Sequence, residues 1–404
     1  MAISLNKARV SPIAIDFGAD TLKLLQVAPG RPPHLVAAAA ATLPSNTRQK
    51  PLERLTAISE ALKSLLRQAP FRGRRVICAI PAFQTLTQQL TLPATDSVKA
   101  DELVQNQLRE RLGIEPRGMV LRHFPLGGVA YAPGGKRPVV CIAASRQSVM
   151  QYIDLCRQCK LEVIGMHAEP FALLEANRGE VADPAEPARA VIDIGAMTTK
   201  LLVIRGGKLL FAKSIHLGGD QLTRQLASER GIDFDDARRL RAVGETAGTH
   251  TPAATPAAAR VKRKKILAAL DGDEDDDGLS SFMDPDDEAS WDDPATPRDA
   301  PTAKPHANAD TLDCLLDELR MGLRSYHGSC PDVPVEKLIF VGGEAQDCGM
   351  CTSLARELGL AAVLGDPLGG VVHLGQSRTA GIDFDDIQPA WAVARGLVSS
   401  EANV

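Results

Sequence analysis

The 404-residue sequence predicts an α/β protein with two related halves facing one cleft, and three observations carry that expectation. First, the stretch AIDFGADTLKLL at 14–25 returns as VIDIGAMTTKLL at 191–202. The copies share Ile15 with Ile192, Asp16 with Asp193, Gly18 with Gly195, Ala19 with Ala196, Thr21 with Thr198, Lys23 with Lys200 and both following leucines. Second, each copy reads as an apolar strand, an acid-glycine turn and another apolar strand, set among alternating helical and strand patterns. Third, a later strand runs into another glycine turn, FVGGEA at 340–345.

The elements follow in order. Residues 13–27 read as a β-hairpin with its turn at Gly18–Thr21. Leucines and alanines at helical spacing predict a helix over about 51–68, and RRVICAIP at 74–81 reads as a buried strand. The texture then changes. QTLTQQLTLP alternates as a strand, SVKADELVQNQLRERLG reads as a helix opened by Ser97 and stopped at Gly113, and MVLRHFPLGG and PVVCIAAS read as two further strands. With a helix at about 146–160 they form a small β-α-β-β-α module inserted into the first half. LEVIGMHAEPFALLEAN supplies a strand and a helix before the second copy. After that copy come the strand KLLFAKSIHL, a Gly-Gly turn, the helix GDQLTRQLASERG and the short helical DFDDARRLRAVG. From about 245 to 309, Thr, Ala and Pro give way to the acidic runs DGDEDDDG and DPDDEASWDDP. Such a segment cannot bury enough apolar surface to offset its ordering entropy, so disorder is expected there. A helix, LDCLLDELRMGLRSYHG, then leads to the strand of VEKLIFVGGEAQ.

An apolar content of 44% fills the cores of two or more domains. With a net charge of -4, 4% aromatics and no basic stripe, no nucleic-acid partner is expected. The N-terminal MAISLNKARVSPIAIDFG lacks a signal-peptide apolar core, and LVAAAAATLP at 35–44 is too short and too alanine-rich to span a bilayer. The expectation is a cytoplasmic chain with no direct membrane insertion, held at a membrane only through a partner. Eight dispersed cysteines fit reduced thiols. The CxxC pairs Cys156/Cys159 and Cys348/Cys351 would bind zinc only if their distant segments met; with no histidine nearby, the favoured reading is small buried side chains, at i, i+3 of an amphipathic helix in QYIDLCRQCKLEV.

A strand ending in Asp-x-Gly sets a carboxylate at a tight turn, where glycine lets backbone N–H groups crowd an anion. Two such turns from two domains can close on one phosphate chain. The aspartates would orient Mg²⁺ through water, and Lys23 and Thr21 would reach phosphate oxygens. FVGGEA supplies a third turn where backbone can approach an adenosine, so the three turns imply a nucleotide in a cleft between duplicated αβ domains. There is no GxxxxGK[ST] and no GxGxxG after a strand.

In this order the three turns resemble the phosphate-1, phosphate-2 and adenosine motifs of the actin and sugar-kinase superfamily. HAEPFALLEA, LGGDQLTRQLASERGIDFDDARRLR, DELRMGLRSYHG and the closing PAWAVARGL narrow the resemblance, over residues 13–398, to PilM-like type IV pilus assembly proteins, relatives of FtsA. The resemblance implies an actin-like fold, a duplicated ribonuclease-H-like two-domain α/β architecture with an FtsA/PilM-type 1C subdomain. Subdomain 1A would take 1–83 and 147–187, with 1C at 84–146. Subdomain 2A would take 188–216 and 331–370, and 2B would take 217–330 around the acidic insertion. Residues 371–404 would return to 1A and form a C-terminal tail.

Carried over by position, Asp16, Gly18, Thr21 and Lys23 would form the first phosphate site, and Asp193, Gly195, Thr198 and Thr199 the second. Gly342 and Gly343 would face the adenosine of ATP, with Glu318 and Arg320 lining base or ribose. Glu169 stands where the superfamily keeps a water-orienting residue; equally, it is a helix-start carboxylate stabilised by the dipole. The implied role is a nucleotide-binding scaffold that binds the N-terminal tail of an inner-membrane PilN-like protein and meets pilus motor and platform components. The alternatives are an active ATPase or small-molecule kinase of the superfamily, or an FtsA-like filament former. Homo-oligomerisation stays open. The chain departs from the pattern at Ala19 and Asp20, where serines are usual, and at Glu344, which replaces a third glycine. Asp20 would bring negative charge toward the phosphates, which favours the scaffold over a busy ATPase.

Overall fold

The computed structural model describes residues 10–48, 50–93, 97–113, 115–127, 135–178, 186–242, 310–373, 379–384 and 386–400. The acidic stretch at 245–309 lies outside them.

The first hairpin is β1 (Ile13–Phe17) and β2 (Thr21–Ala28), continued by β3 (His34–Thr42). Helix α1 (Pro51–Gln68) leads to β4 (Arg75–Ile80). Next come β5 (Thr85–Pro93), α2 (Ser97–Leu112), β6 (Met119–Pro125), β7 (Lys136–Ser145) and α3 (Arg146–Gln158). The chain then re-enters the first sheet as β8 (Glu162–Ala168) and runs into α4 (Glu169–Ala176). The second hairpin is β9 (Ala188–Ile194) and β10 (Thr199–Arg205), continued by β11 (Lys208–Ile215), α5 (Gly219–Arg230) and α6 (Phe234–Ala242). Helix α7 (Thr311–Ser329), β12 (Val335–Val341), α8 (Cys348–Leu358), β13 (Ala361–Leu364), β14 (Thr379–Ala380) and α9 (Ala392–Ser400) finish the chain.

Both main sheets have one design. The first runs β14-β3-β2-β1-β4-β8 and the second β11-β10-β9-β12-β13. Each has three antiparallel strands followed by two parallel ones, and the first adds β14 parallel to β3 at its edge, so the repeated hairpins occupy equivalent places. A third sheet, β5-β7-β6, carries α2 on one face over a small core of its own.

The alanine run, too short to span a bilayer, forms most of β3 in the first sheet. Alternation explains it, since successive side chains of a strand point to opposite faces. Ala37 and Ala39 pack with Ile58 and Leu62 of α1, while Ala38 joins the core on the other face. Small residues there let both layers approach.

That other face is where the halves meet. One core contains Ala14 and Leu25 of the first sheet, Val191 and Leu202 of the second, and Leu173 and Leu397 of α4 and α9 between them. The two helices cross so closely that a Cβ on Gly396 would lie 1.7 Å from the Ala172 carbonyl oxygen. No helix among the described residues is long and apolar enough to cross a membrane. The CxxC pairs do not meet: Cys156 packs in the core beneath α1 and α3, Cys351 in the core beneath α7 and α8. Among the described residues no group of three or more His, Cys, Asp or Glu is arranged to hold a metal.

Candidate functional site

The hairpin turns open on one cleft of about 840 Å³, a volume in the range of small-ligand sites. In each hairpin the repeated aspartate and lysine stand directly opposite across the strand pair, Asp16 against Lys23 and Asp193 against Lys200. Lys23 Nζ lies 3.2 Å from Asp16 Oδ2, and Lys200 Nζ lies 2.8 Å from Asp193 Oδ2. Both pairs are buried. Lys200 makes a second contact, 2.8 Å to Glu169 Oε2 at the first turn of α4. Glu169 Oε1 accepts from the Ala82 N–H at 2.8 Å, so both of its oxygens are engaged.

Burial raises the Glu169 carboxyl above its ordinary value; the Lys200 charge opposes the shift, and the Asp16 and Asp193 charges add to it. Lys200 is itself held above its ordinary value, because the Asp193 and Glu169 carboxylates outweigh its desolvation.

Close backbone contacts shape the turns. A Cβ on Gly18 would stand 2.6 Å from the Thr21 carbonyl oxygen, and one on Gly195 3.0 Å from that of Thr198. Arg54 of α1 fixes the first turn by donating to the carbonyls of Ala19 at 2.9 Å and Gly18 at 2.8 Å. Gly342 has φ +99°, and a Cβ there would meet Asp193 Oδ1 and the Ile194 carbonyl at 2.3 Å. Only glycine brings the third turn onto the second.

Ten expected residues line this cleft: Asp16, Gly18, Thr21, Lys23, Glu169, Asp193, Gly195, Thr198, Gly342 and Gly343. Three expected ones do not. Thr199 points to the other side of β10, where its hydroxyl donates to the Leu217 carbonyl at 2.8 Å. Glu318 pairs with Lys213 at 2.8 Å, and Arg320 reaches Glu357 at 3.3 Å on another side of α7.

The structure gives the two departing acids partners that no sequence pattern marks, Arg48, Arg238 and Arg241. Asp20 does not face the phosphate turns as a bare charge. Its Oδ1 accepts from Arg48 at 2.5 Å, and its Oδ2 accepts from Arg238 of α6. Burial pushes its carboxyl up, and the two guanidiniums more than offset that, leaving it below its usual value. Arg48 also donates to Asp220 of α5 at 2.7 Å, so the two arginines clamp the first half to the second. Glu344, in place of a third glycine, accepts from Arg241 at 2.9 Å; Arg241 donates in turn to the Gly219 carbonyl and Thr223 hydroxyl, both at 2.9 Å. Lys200 was the one findable signal, as the repeat partner of Lys23.

The donor set fits the phosphates of a nucleotide. Two buried ammonium groups stand beside the two glycine turns, with Lys23 Nζ 3.6 Å and Lys200 Nζ 3.7 Å from the positions a Cβ would take on Gly18 and Gly195. It does not fit Mg²⁺ as expected from the sequence. Asp16 and Asp193 are each already paired with a lysine, and Glu169 shares one of those lysines.

The family model of the type IV pilus assembly protein PilM matches residues 14–251. The chain belongs to the PilM family. A model of the cell-division protein FtsA matches residues 190–382. FtsA of Rhizobium meliloti is 26% identical over 267 residues, 64% of this chain and 50% of that protein. FtsA of Agrobacterium fabrum is 32% identical over 103 residues, 25% of this chain and 23% of that one. The chain thus spans half the length, or less, of these curated relatives. Among solved structures, a PilM–PilN type IV pilus biogenesis complex matches with a TM-score of 0.68 at 22% identity, covering 96% of this chain and 98% of that one. This PilM-family chain has the actin-like fold, with duplicated α/β halves and the additional subdomain.

Proposed function

We propose that this PilM-family chain is a nucleotide-binding scaffold that docks the N-terminal cytoplasmic tail of an inner-membrane PilN-like protein onto pilus motor and platform components. The observation that carries the nucleotide reading is the pair of cross-strand Asp–Lys contacts, at equivalent places in two hairpins, facing one cleft that Gly342 also lines. Gly18, Thr21 and Lys23 receive one end of the phosphate chain of ATP, and Gly195, Thr198 and Lys200 the other. Gly342 and Gly343 face the adenosine. A nucleotide held there bridges the halves and fixes the cleft's opening, which makes the protein a regulated platform. Glu169, with both oxygens engaged, supports anchoring over base catalysis. The PilN partner rests on family membership and on the matched solved complex, and it puts the chain at the cytoplasmic face of the inner membrane through that partner.

Two measurements test this. Calorimetry with ATP should show binding that Lys23→Ala weakens about tenfold, the loss of roughly one charge-assisted contact; equal affinity in the variant rules out the cleft. Titrating the chain with N-terminal peptides of inner-membrane pilus proteins should single out one binder, and silence across the whole panel rules out the scaffold.

A further inference from the structure

Lys200 sits where a cation belongs. Its ammonium lies 2.8 Å from carboxylate oxygens on two different elements, Asp193 on β9 and Glu169 on α4. Side-chain exposure is 5% for Lys200 and 6% and 7% for the two acids, so no bulk water screens the group. The repeat partner Lys23 holds Asp16 in the same way across the first hairpin. Three buried carboxylates therefore face two buried ammonium groups before any ligand arrives.

A divalent ion brought between the phosphates and Asp193 would lie within a few ångström of the Lys200 ammonium. Magnesium also keeps several of its waters and demands octahedral geometry. Asp193 and Glu169 already share the Lys200 ammonium, so an ion there would have to displace it from both. The ammonium offers what the ion would: positive charge next to the second glycine turn, tethered to Asp193 and in reach of a phosphate oxygen.

We infer that Lys200 is the built-in cation of this cleft, and that the chain binds nucleoside triphosphate without needing a divalent metal. The inference rests on the nucleotide reading above. It gives a reason for the lysine at both repeat positions: each hairpin sets an ammonium group beside its own glycine turn and its own aspartate.

The test is calorimetric titration of the full chain with ATP, once in EDTA and once in excess Mg²⁺. The expected affinities agree within about threefold. In Lys200→Ser, binding should fall at least tenfold in EDTA and recover when Mg²⁺ is added, because the ion then has carboxylates to face. A wild-type affinity more than tenfold weaker in EDTA overturns the inference and leaves the nucleotide reading standing. Absence of ATP binding in both buffers overturns both. The wild-type comparison needs no variant, so a Lys200→Ser chain that fails to fold does not spare the inference.

Discussion

Replacing Asp20 by asparagine removes one charge and almost no volume from the contact that joins the halves across the mouth of the cleft. Asp20 accepts from Arg48 at 2.5 Å and from Arg238, and Arg48 continues to Asp220 at 2.7 Å. Hydrogen bonds to charged groups contribute about 1.5 to 3 kcal/mol each, and neutral ones about half that. The amide keeps an acceptor, so two bonds weaken rather than vanish. Arg48 is nearly buried, whereas the Arg238 side chain is 31% exposed, and water screens its share. The net loss is about 1 to 2 kcal/mol of stability, a fall in Tm of roughly 2 to 6 °C.

The same substitution frees a ligand-facing cation. Arg238 lines the cleft, so a phosphate bound there would compete with Asp20 for its guanidinium. Releasing it should tighten ATP binding by about 1 kcal/mol, roughly fivefold. Thermal melting and calorimetry on one preparation read the two effects together. Lower Tm with tighter binding is the expected pairing. An unchanged Tm with unchanged or weaker binding would refute the idea that Asp20 is a clamp and would restore it as a bare charge repelling phosphate.

Further outcomes follow from the same geometry. Gly342→Ala should lower stability by about 2 to 4 kcal/mol, because its Cβ would meet Asp193 Oδ1 and the Ile194 carbonyl at 2.3 Å in a backbone conformation alanine avoids; chemical denaturation measures it. Arg241→Ala leaves the Glu344 carboxylate without its donor and strips partners from the Gly219 carbonyl and the Thr223 hydroxyl. A loss of about 3 to 5 kcal/mol is expected in denaturant unfolding, and Glu344→Gln in the same background should restore part of it. The Asp20 carboxyl, held below its ordinary 3.8 in the folded chain, contributes stability that is present above that value and is lost as pH falls through the lower folded value. The stability gap between wild type and Asp20→Asn should therefore stay level from neutral pH down to about 4 and narrow below it; a gap that widens in acid contradicts the sign.

The repeated hairpin was legible because backbone geometry repeats with it: the same strand, turn and strand need the same glycine, and the same register sets the same acid against the same lysine. The misplaced residues share one cause, direction. Thr199 and Lys200 are neighbours on β10, so when Lys200 faces the cleft Thr199 must face the other side. Glu318 and Arg320 stand two apart on α7, a spacing at which helix side chains do not share a face, and they reach Lys213 and Glu357 respectively. The arginines were hidden for a different reason. Arg48 meets Asp220 across 172 residues and Arg238 meets Asp20 across 218, and no local pattern marks an arginine as belonging to so distant an acid. Asp20 was correctly singled out as the odd residue of its turn, yet its charge could be weighed only beside partners that folding alone supplies. The lysines are the reverse case. Both stood in the aligned repeat, and because a cross-strand neighbour is fixed by hairpin register, Asp193 and Lys200 were bound to face each other as Asp16 and Lys23 do. A pattern that pairs each turn acid with its own lysine sets an ammonium group beside each glycine turn, and this follows from the repeat before any distance is measured.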